Sequence, residues 1–362
     1  MSQKQSKIGI IGTGLIGTSI GLGLMARAKR SYEVVGADAH RGHARTAHKL
    51  GALDRHVDSI EELVENAGLV IVAVPVMAAR TVFEQIASFL VPGAVITDTC
   101  STKGDVLRWA SELLPESIHF VGSHPMAGVE SSGPEAARAD LFKDATWAVT
   151  PSARADEEAV AIVVGLIEAM GAHPVHIDAA EHDQYAAAVS HVPLLASVAL
   201  FRVVRDSPGW EDASLISGPA FKDLTRLASG DPRMAMDIMG TNREAVLHWL
   251  RRFRNELETI EAAIELGGDP VKSLFESTQL DREAWLLNPR TQREVQGPEL
   301  PSSKDAMGQL LVGGNYERLK EVLAGRLPGA DGKEGDRELP AADTEKLRRQ
   351  LQQMEDKGRD RR

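Results

Sequence analysis

Near its start the chain reads KIGIIGTGLIGTSIG, a short apolar run followed by Gly12, Gly14 and Gly17 at GxGxxG spacing. The run has the character of a buried strand, and the segment LIGTSIGLGLMARA after it carries a helical pattern. That context restricts the fold sharply. Gly12 permits a tight turn, Gly14 lets the backbone approach a bound pyrophosphate, and Gly17 lets helix and strand pack closely. The start of the helix, with Leu15 and Ile16, offers unpaired N–H groups and a partial positive charge to phosphate oxygens.

Further along, YEVVGAD, LVIVAVP and AVITDT read as strands separated by helical patterns, the alternation of a parallel sheet with crossover helices. Asp38 closes the second strand about twenty residues after the glycine turn, where a carboxylate accepts hydrogen bonds from ribose hydroxyls. An acid there repels a 2′-phosphate, so NAD is the expected cofactor; NADP, which His40 and Arg41 would favour, is the second choice. Val74 and Pro75 in AVP and Thr99 in TDTCSTK stand at the ends of later strands, on the rim where open parallel sheets bind ligands. GSHPMAG, residues 122–128, follows the strand-like HFVG and is read as a glycine-bounded loop that brings His124 to the same rim. TWAVTP, a helix from Asp156 to Met170, and the strand PVHID complete a doubly wound, Rossmann-like α/β domain over residues 1–178.

From Ala179 the β-branched runs stop and the pattern is helical to about Leu266, with Asp231 and Pro232 as N-cap and first-turn residues of one helix. AAAVSHVPLLASVALF is apolar on more than one face, so this all-α domain, residues 179–267, is expected to pack on a second copy as a homodimer. Residues 268–362 form an extension. Segments at 272–286 and 303–323 are read as helices, and 329–362, rich in charge and glycine, as a solvated helix or disordered tail.

A net charge of −11 argues against a protein whose main task is binding nucleic acid. A single cysteine, Cys100, forbids an intramolecular disulfide and fits a reducing compartment. Lys4 and Lys7 followed by the uncharged run 8–26 imitate a signal peptide, but the run is crowded with glycines; the apolar run 67–79 is broken by Pro75 and too short to span a bilayer. A soluble, cytoplasmic protein that acts on a small molecule, with no membrane partner and no metal-ligand set, is the expectation.

Taken in order, GTGLIGTSIG, DTCSTK, GSHPMAG followed by Glu130, HDQYAAAVSHVP and GPAFKDLTRLASGDP resemble the prephenate and arogenate dehydrogenase family of tyrosine biosynthesis, over residues 7–265. The resemblance implies an NAD-dependent oxidative decarboxylation: a cyclohexadienol gives hydride from its carbinol carbon while the ring carboxylate leaves as carbon dioxide. It implies that His124 polarises the hydroxyl as a base and that Ser101, beside it, fixes the imidazole's orientation and tautomer. An ordinary imidazole in that role predicts a rate that rises with pH through a group titrating near neutrality. Arg226 would hold the ring carboxylate with its planar fork, and Lys222, one helical turn earlier, would add positive potential. Glu130 would line the pocket, Asp183 would belong to a nearby network, and His191 is either a substrate contact or a satisfied core histidine.

The chain departs from the family at Leu194, where many prephenate-using relatives have the second histidine of SHLPH, and at Ala235, where relatives often carry tryptophan. The first departure leaves prephenate, converted to 4-hydroxyphenylpyruvate, and arogenate, converted to tyrosine, both open as substrate. Two other readings share the architecture: a hydroxyacid or imine reductase using Lys222, and a dimeric NAD-binding module without catalysis.

Overall fold

The strand β1 (Ser6–Ile11) leads through the glycine turn into α1 (Leu15–Met25). The alternation continues with β2 (Tyr32–Ala37), α2 (Arg41–Lys49), β3 (Arg55–His56), α3 (Ile60–Val64), β4 (Ala67–Val72), α4 (Val76–Ile86), β5 (Val95–Asp98), α5 (Gly104–Leu113) and β6 (His119–Pro125). Then come β7 (Thr146–Pro151), α6 (Glu157–Ala169) and β8 (His173–His176). The computed structural model describes residues 6–27, 30–128 and 131–287. Glu130, the expected helix at 303–323 and the tail at 329–362 lie outside the described residues.

All eight strands join one sheet in the order β3-β2-β1-β4-β5-β6-β7-β8. Strands β1 to β6 are parallel, whereas β7 is antiparallel to β6 and β8 parallel to β7, so the last two run against the rest. The sheet read as parallel is therefore mixed at one edge. Among the described residues, the β6–β7 connection has only a single 3-10 turn, Pro134–Ala136, and a chain without a crossover helix returns antiparallel.

The antiparallel pairing also corrects the reading of GSHPMAG. Pairing of β5 with β6 stops at Thr97 and Val121, but β7 continues alongside, with Ser123 opposite Val149, His124 opposite Ala148 and Pro125 opposite Trp147. His124 is thus a strand residue held at the sheet's carboxyl rim. Gly122 does not make a turn; a Cβ there would meet Thr150 Oγ1 at 2.5 Å, so the glycine serves close packing of β6 on β7.

Both faces of the sheet are covered. Leu69 and Ile71 of β4 join Ile8, Ile10, Ile20, Leu24 and Ile167 on one side, while Val70 and Val72 join Val35, Phe83, Ile96 and Trp109 on the other. This alternation follows from the two-residue strand repeat, and each fully buried aliphatic side chain contributes about 1.5–3 kcal/mol.

After Asp178, whose carboxylate caps the next helix by accepting from Ala180 N at 2.8 Å, the chain is helical. Helix α7 (Ala179–Ala186) widens into a π segment, Ala187–His191, and resumes as α8 (Val192–Arg205). Pro193 has no N–H for the carbonyl four residues before it, and a π turn absorbs that gap. Then follow α9 (Trp210–Leu215), α10 (Pro219–Thr225), a 3-10 turn Arg226–Ser229, α11 (Pro232–Thr241), α12 (Arg243–Leu266) and α13 (Asp269–Leu287). Asp231 caps α11 by accepting from Arg233 N at 2.8 Å. The buried cluster here is small: Ala187, Ala245 and Val246, with Leu195, Met239 and Trp249 packed against it.

The run Ala179–Arg205 is long and apolar enough to cross a bilayer by length and composition, a property the sequence reading does not consider. It nevertheless buries His182, Asp183 and His191, and Asp183 is hydrogen-bonded to the sheet domain, as in a helix docked on protein.

Candidate active site

The glycine turn has the geometry its spacing demands. Gly12 sits at φ +92°, and a Cβ there would lie 2.3 Å from the carbonyl oxygen of Ala73; a Cβ on Gly17 would lie 1.9 Å from that of Gly12. Gly14 instead faces open space, with nothing within 4 Å of a Cβ. It is the N-cap of α1 and has no side-chain cap hydrogen bond, so the first-turn N–H groups, those of Leu15 and Ile16 included, are left for a ligand. Beside the turn, Asp38 accepts from Thr13 N at 2.7 Å and from His40 N at 2.7 Å, and His43 Nδ1 stands 3.6 Å away. Thr13 Oγ1 also donates to it at 3.3 Å, and since a carboxylate has about four lone-pair directions, one remains on Oδ1 for a ribose hydroxyl. The rim continues through the β4 end, where Ala73 N bonds Ile11 O at 2.7 Å ahead of Val74 and Pro75, and the β5 end, where Thr99 N bonds Val72 O at 3.1 Å. An open cradle at Gly14, uncapped N–H groups and a ribose-facing carboxylate fit NAD.

Farther along the rim, half-buried His124 contacts the helical domain. Its Nδ1 lies 2.9 Å from His182 Nε2, with the two rings edge to face at 70°, and His182 Nδ1 lies 2.9 Å from Asp183 Oδ1. Asp183 in turn accepts from Lys103 N and Gly104 N, each at 2.8 Å. Below them runs a fully buried ion pair between Lys103 Nζ and Asp98, with Lys103 Nζ also donating to the Ser123 carbonyl at 2.7 Å. The other Asp98 oxygen accepts from Ser123 N at 3.0 Å, so the backbone that carries His124 is pinned from the residue before it.

Electrostatics here favour neutral imidazoles. Burial, followed by the neighbouring His182, Lys103 and His191, pushes His124 well below the usual histidine range. His191, at the end of the π segment, is almost fully buried and is lowered by burial to about 4. Its Nδ1 meets Asn242 Nδ2 at 3.3 Å, its Nε2 is buried without a partner, and Asn242 also donates to the Asp183 carbonyl at 2.7 Å. The expected titration near neutrality is thereby corrected: a base in this setting keeps its lone pair in acid well below pH 6.5.

Several expected site residues meet here and others stand apart. His124, Asp183 and His191 share one network. Ser101 is half-buried on the same rim, but its hydroxyl makes no hydrogen bond among the described residues, and the nitrogen of His124 that is engaged, Nδ1, meets His182. Lys222 lies exposed on α10, and Arg226 opens the following 3-10 turn. Ala228 N bonds Ser197 Oγ at 3.1 Å, which ties that turn to α8, while Phe201, Trp210 and Phe221 stack between α8, α9 and α10. Sequence reasoning missed His182, Lys103 and Asp98. A signal did exist for His182: a His–Asp pair in the first turns of an otherwise apolar helix is costly to bury without a polar purpose.

Comparison with known proteins points the same way. Residues 22–176 match the family model described as prephenate dehydrogenase, nucleotide-binding domain, and residues 178–279 that described as prephenate dehydrogenase, dimerization domain. A prephenate dehydrogenase of Bacillus subtilis (strain 168) is 33% identical over 267 residues, 73% of this chain and 72% of that protein. A cyclohexadienyl dehydrogenase of Zymomonas mobilis is 34% identical over 287 residues, covering 76% and 95%. Among solved structures, prephenate dehydrogenase from A. aeolicus in complex with hydroxyphenyl propionate and NAD+ superposes with a TM-score of 0.72 at 26% identity, covering 78% of this chain and 99% of that one. Synechocystis arogenate dehydrogenase does so at 0.66, also 26% identical, covering 77% and 99%.

Proposed function

The chain belongs to the prephenate dehydrogenase family of NAD-dependent oxidoreductases, and from that premise we propose that it oxidatively decarboxylates prephenate to 4-hydroxyphenylpyruvate, using NAD rather than NADP, as a cytoplasmic homodimer joined through its helical domain. The observation that carries the assignment of the base is the position of His124: on the strand rim that begins at the glycine turn, with Nδ1 engaged and Nε2 without a partner among the described residues. Nε2 takes the proton of the ring hydroxyl as the carbinol carbon becomes a carbonyl. NAD, which the glycine turn and Asp38 would hold, would supply the hydride acceptor for that carbon. The bond to the ring carboxylate breaks, carbon dioxide leaves, and the bonding pair passes through the ring to the carbonyl oxygen, which recovers the proton from Nε2 as the ring becomes an aromatic phenol.

Arg226 is assigned to the departing carboxylate, because a guanidinium matches it with two parallel hydrogen bonds, and Lys222 adds positive potential from the preceding helix α10. Ser101 is assigned to the catalytic rim beside His124, Glu130 to the lining of the substrate pocket, and His191 to the pocket wall. Asp38 supports NAD over NADP, since its carboxylate beside the turn repels a 2′-phosphate.

One residue keeps a second substrate open. Leu194, half-buried on α8, puts an aliphatic side chain where a histidine would bind the keto acid end, which suits arogenate no less than prephenate. Following NADH absorbance with each cyclohexadienol, and with the His124→Asn variant as control, decides between them. A wild-type rate no greater than that control with both substrates overturns the reading.

A further inference from the structure

We propose that His182 and Asp183, which belong to the helical domain, are positioning residues that set the tautomer of His124 across the domain boundary. The proposal rests on His124 being the proton acceptor. With the His182 ring neutral, the chain of donors and acceptors has one consistent direction. Asp183 Oδ1 already accepts from Lys103 N and Oδ2 from Gly104 N, both at 2.8 Å, so toward the neighbouring ring the carboxylate acts as acceptor. His182 Nδ1, 2.9 Å from Oδ1, is therefore the protonated nitrogen of that ring. In a neutral imidazole the other nitrogen, Nε2, is then bare and accepts. The group 2.9 Å from it is His124 Nδ1, which must carry its proton, leaving the lone pair on His124 Nε2.

The opposite tautomer of His124 would place two lone pairs face to face and put a proton on the nitrogen that has to receive one. The anchoring is rigid on both sides. Asp183 is fixed by the first residues of α5, and a Cβ on Gly104 would stand only 3.1 Å from Oδ2, so glycine allows that close approach. Asn242, between α11 and α12, holds the Asp183 carbonyl, and Thr102 Oγ1 meets Thr241 Oγ1 at 2.8 Å to close the joint. The sheet domain thus supplies the base, and the helical domain decides which of its nitrogens is basic.

The first test is spectroscopic and needs no turnover. In full-length protein labelled with 15N-histidine, with NAD present and the His124 signals assigned by difference from His124→Asn, Nδ1 is expected to be protonated and Nε2 to show the shift of a bare nitrogen. A bare Nδ1 overturns the proposal. In kinetics, His182→Leu removes the acceptor and is expected to lower kcat about a hundredfold, with KM for both substrates within about threefold. His182→Gln restores an oxygen acceptor near the Nε2 position and is expected to recover about tenfold of that loss. Equal kcat in wild type and His182→Leu overturns the proposal, as does a loss shared equally by the Leu and Gln variants. Should His182→Leu fail to fold, the wild-type 15N measurement still decides. Absence of turnover with either cyclohexadienol would refute the substrate assignment and leave the tautomer result standing.

Discussion

In the sheet domain Ile8, Ile10, Leu69 and Ile71 are completely buried on one face and Val70 and Val72 on the other; in the helical domain Val203, Leu215, Ile216 and Met236 are 74, 84, 87 and 72% exposed. Both domains are rich in apolar residues, yet only the first closes its own core. A helix inside a single layer buries one stripe, whereas a sheet covered on both sides buries every residue of its central strands. The helical domain therefore leaves apolar surface that the described residues do not cover, and a second copy is the partner its matched family model suggests. The comparison also bears on chemistry. His124 stands on the half with the large buried core, but its hydrogen-bond partner belongs to the half with the small one.

The largest effect is expected from removing the base. His124→Asn should lower kcat by about 10²- to 10⁴-fold while NAD binding, followed by fluorescence titration, stays unchanged. Retained turnover would mean that the sheet domain's rim is not where the proton goes. Next comes Lys103→Met, which leaves the Asp98 charge buried without its partner and should destabilise the protein by about 3–5 kcal/mol in urea unfolding. A change below about 1 kcal/mol would show that water reaches this pair, against its complete burial.

Acid is expected to loosen the joint between the halves. His191 and His124 are held neutral when folded and protonate readily when unfolded, so below pH 6.5 the unfolded state binds more protons. Stability is thus fully present above pH 6.5 and falls as pH drops toward the folded value of about 4 for His191, at about 1.4 kcal/mol per pH unit for that group alone. The groups facing His191 include Asp183, which opposes the shift, and His182, which adds to it. His191→Asn should flatten this slope in denaturation curves taken between pH 4 and 7, and an unaltered slope would assign the acid loss elsewhere. Over the same range kcat/KM is expected to hold as pH falls through 6.5 and to decline only below it. The smallest effect on stability is expected on the exposed face: Ile216→Asp should shift unfolding by no more than about 0.5 kcal/mol in a monomer. Light scattering should nevertheless show the mass halved; an unchanged mass would move the proposed dimer interface off Ile216.

Much of the sheet domain was legible because its signals are local. The strand runs of β1, β2, β4 and β5 and the glycine spacing depend on residues within a few positions, as does the Asp231 cap in the helical domain, and the structure has each of them in those segments. His124 was legible as a residue of the rim but not as part of a strand, because β7, not its own neighbours, extends β6 that far. The helical domain was legible as helices, while the π segment was not anticipated, although Pro193 marks it.

By itself the sequence determined what sterics and short-range periodicity can determine: a turn at Gly12 that no larger residue could take, an uncapped helix start facing an open cradle, and two domains of different secondary structure. Only the tertiary structure decided which polar groups meet. His124 pairs with His182, 58 residues away, and Lys103 with Asp183, 80 residues away, whereas the nearer candidate Ser101 pairs with neither. Hydrogen bonds act over about 3 Å of space and are indifferent to distance along the chain, so the choice among several suitable partners is made when the helical domain docks on the rim.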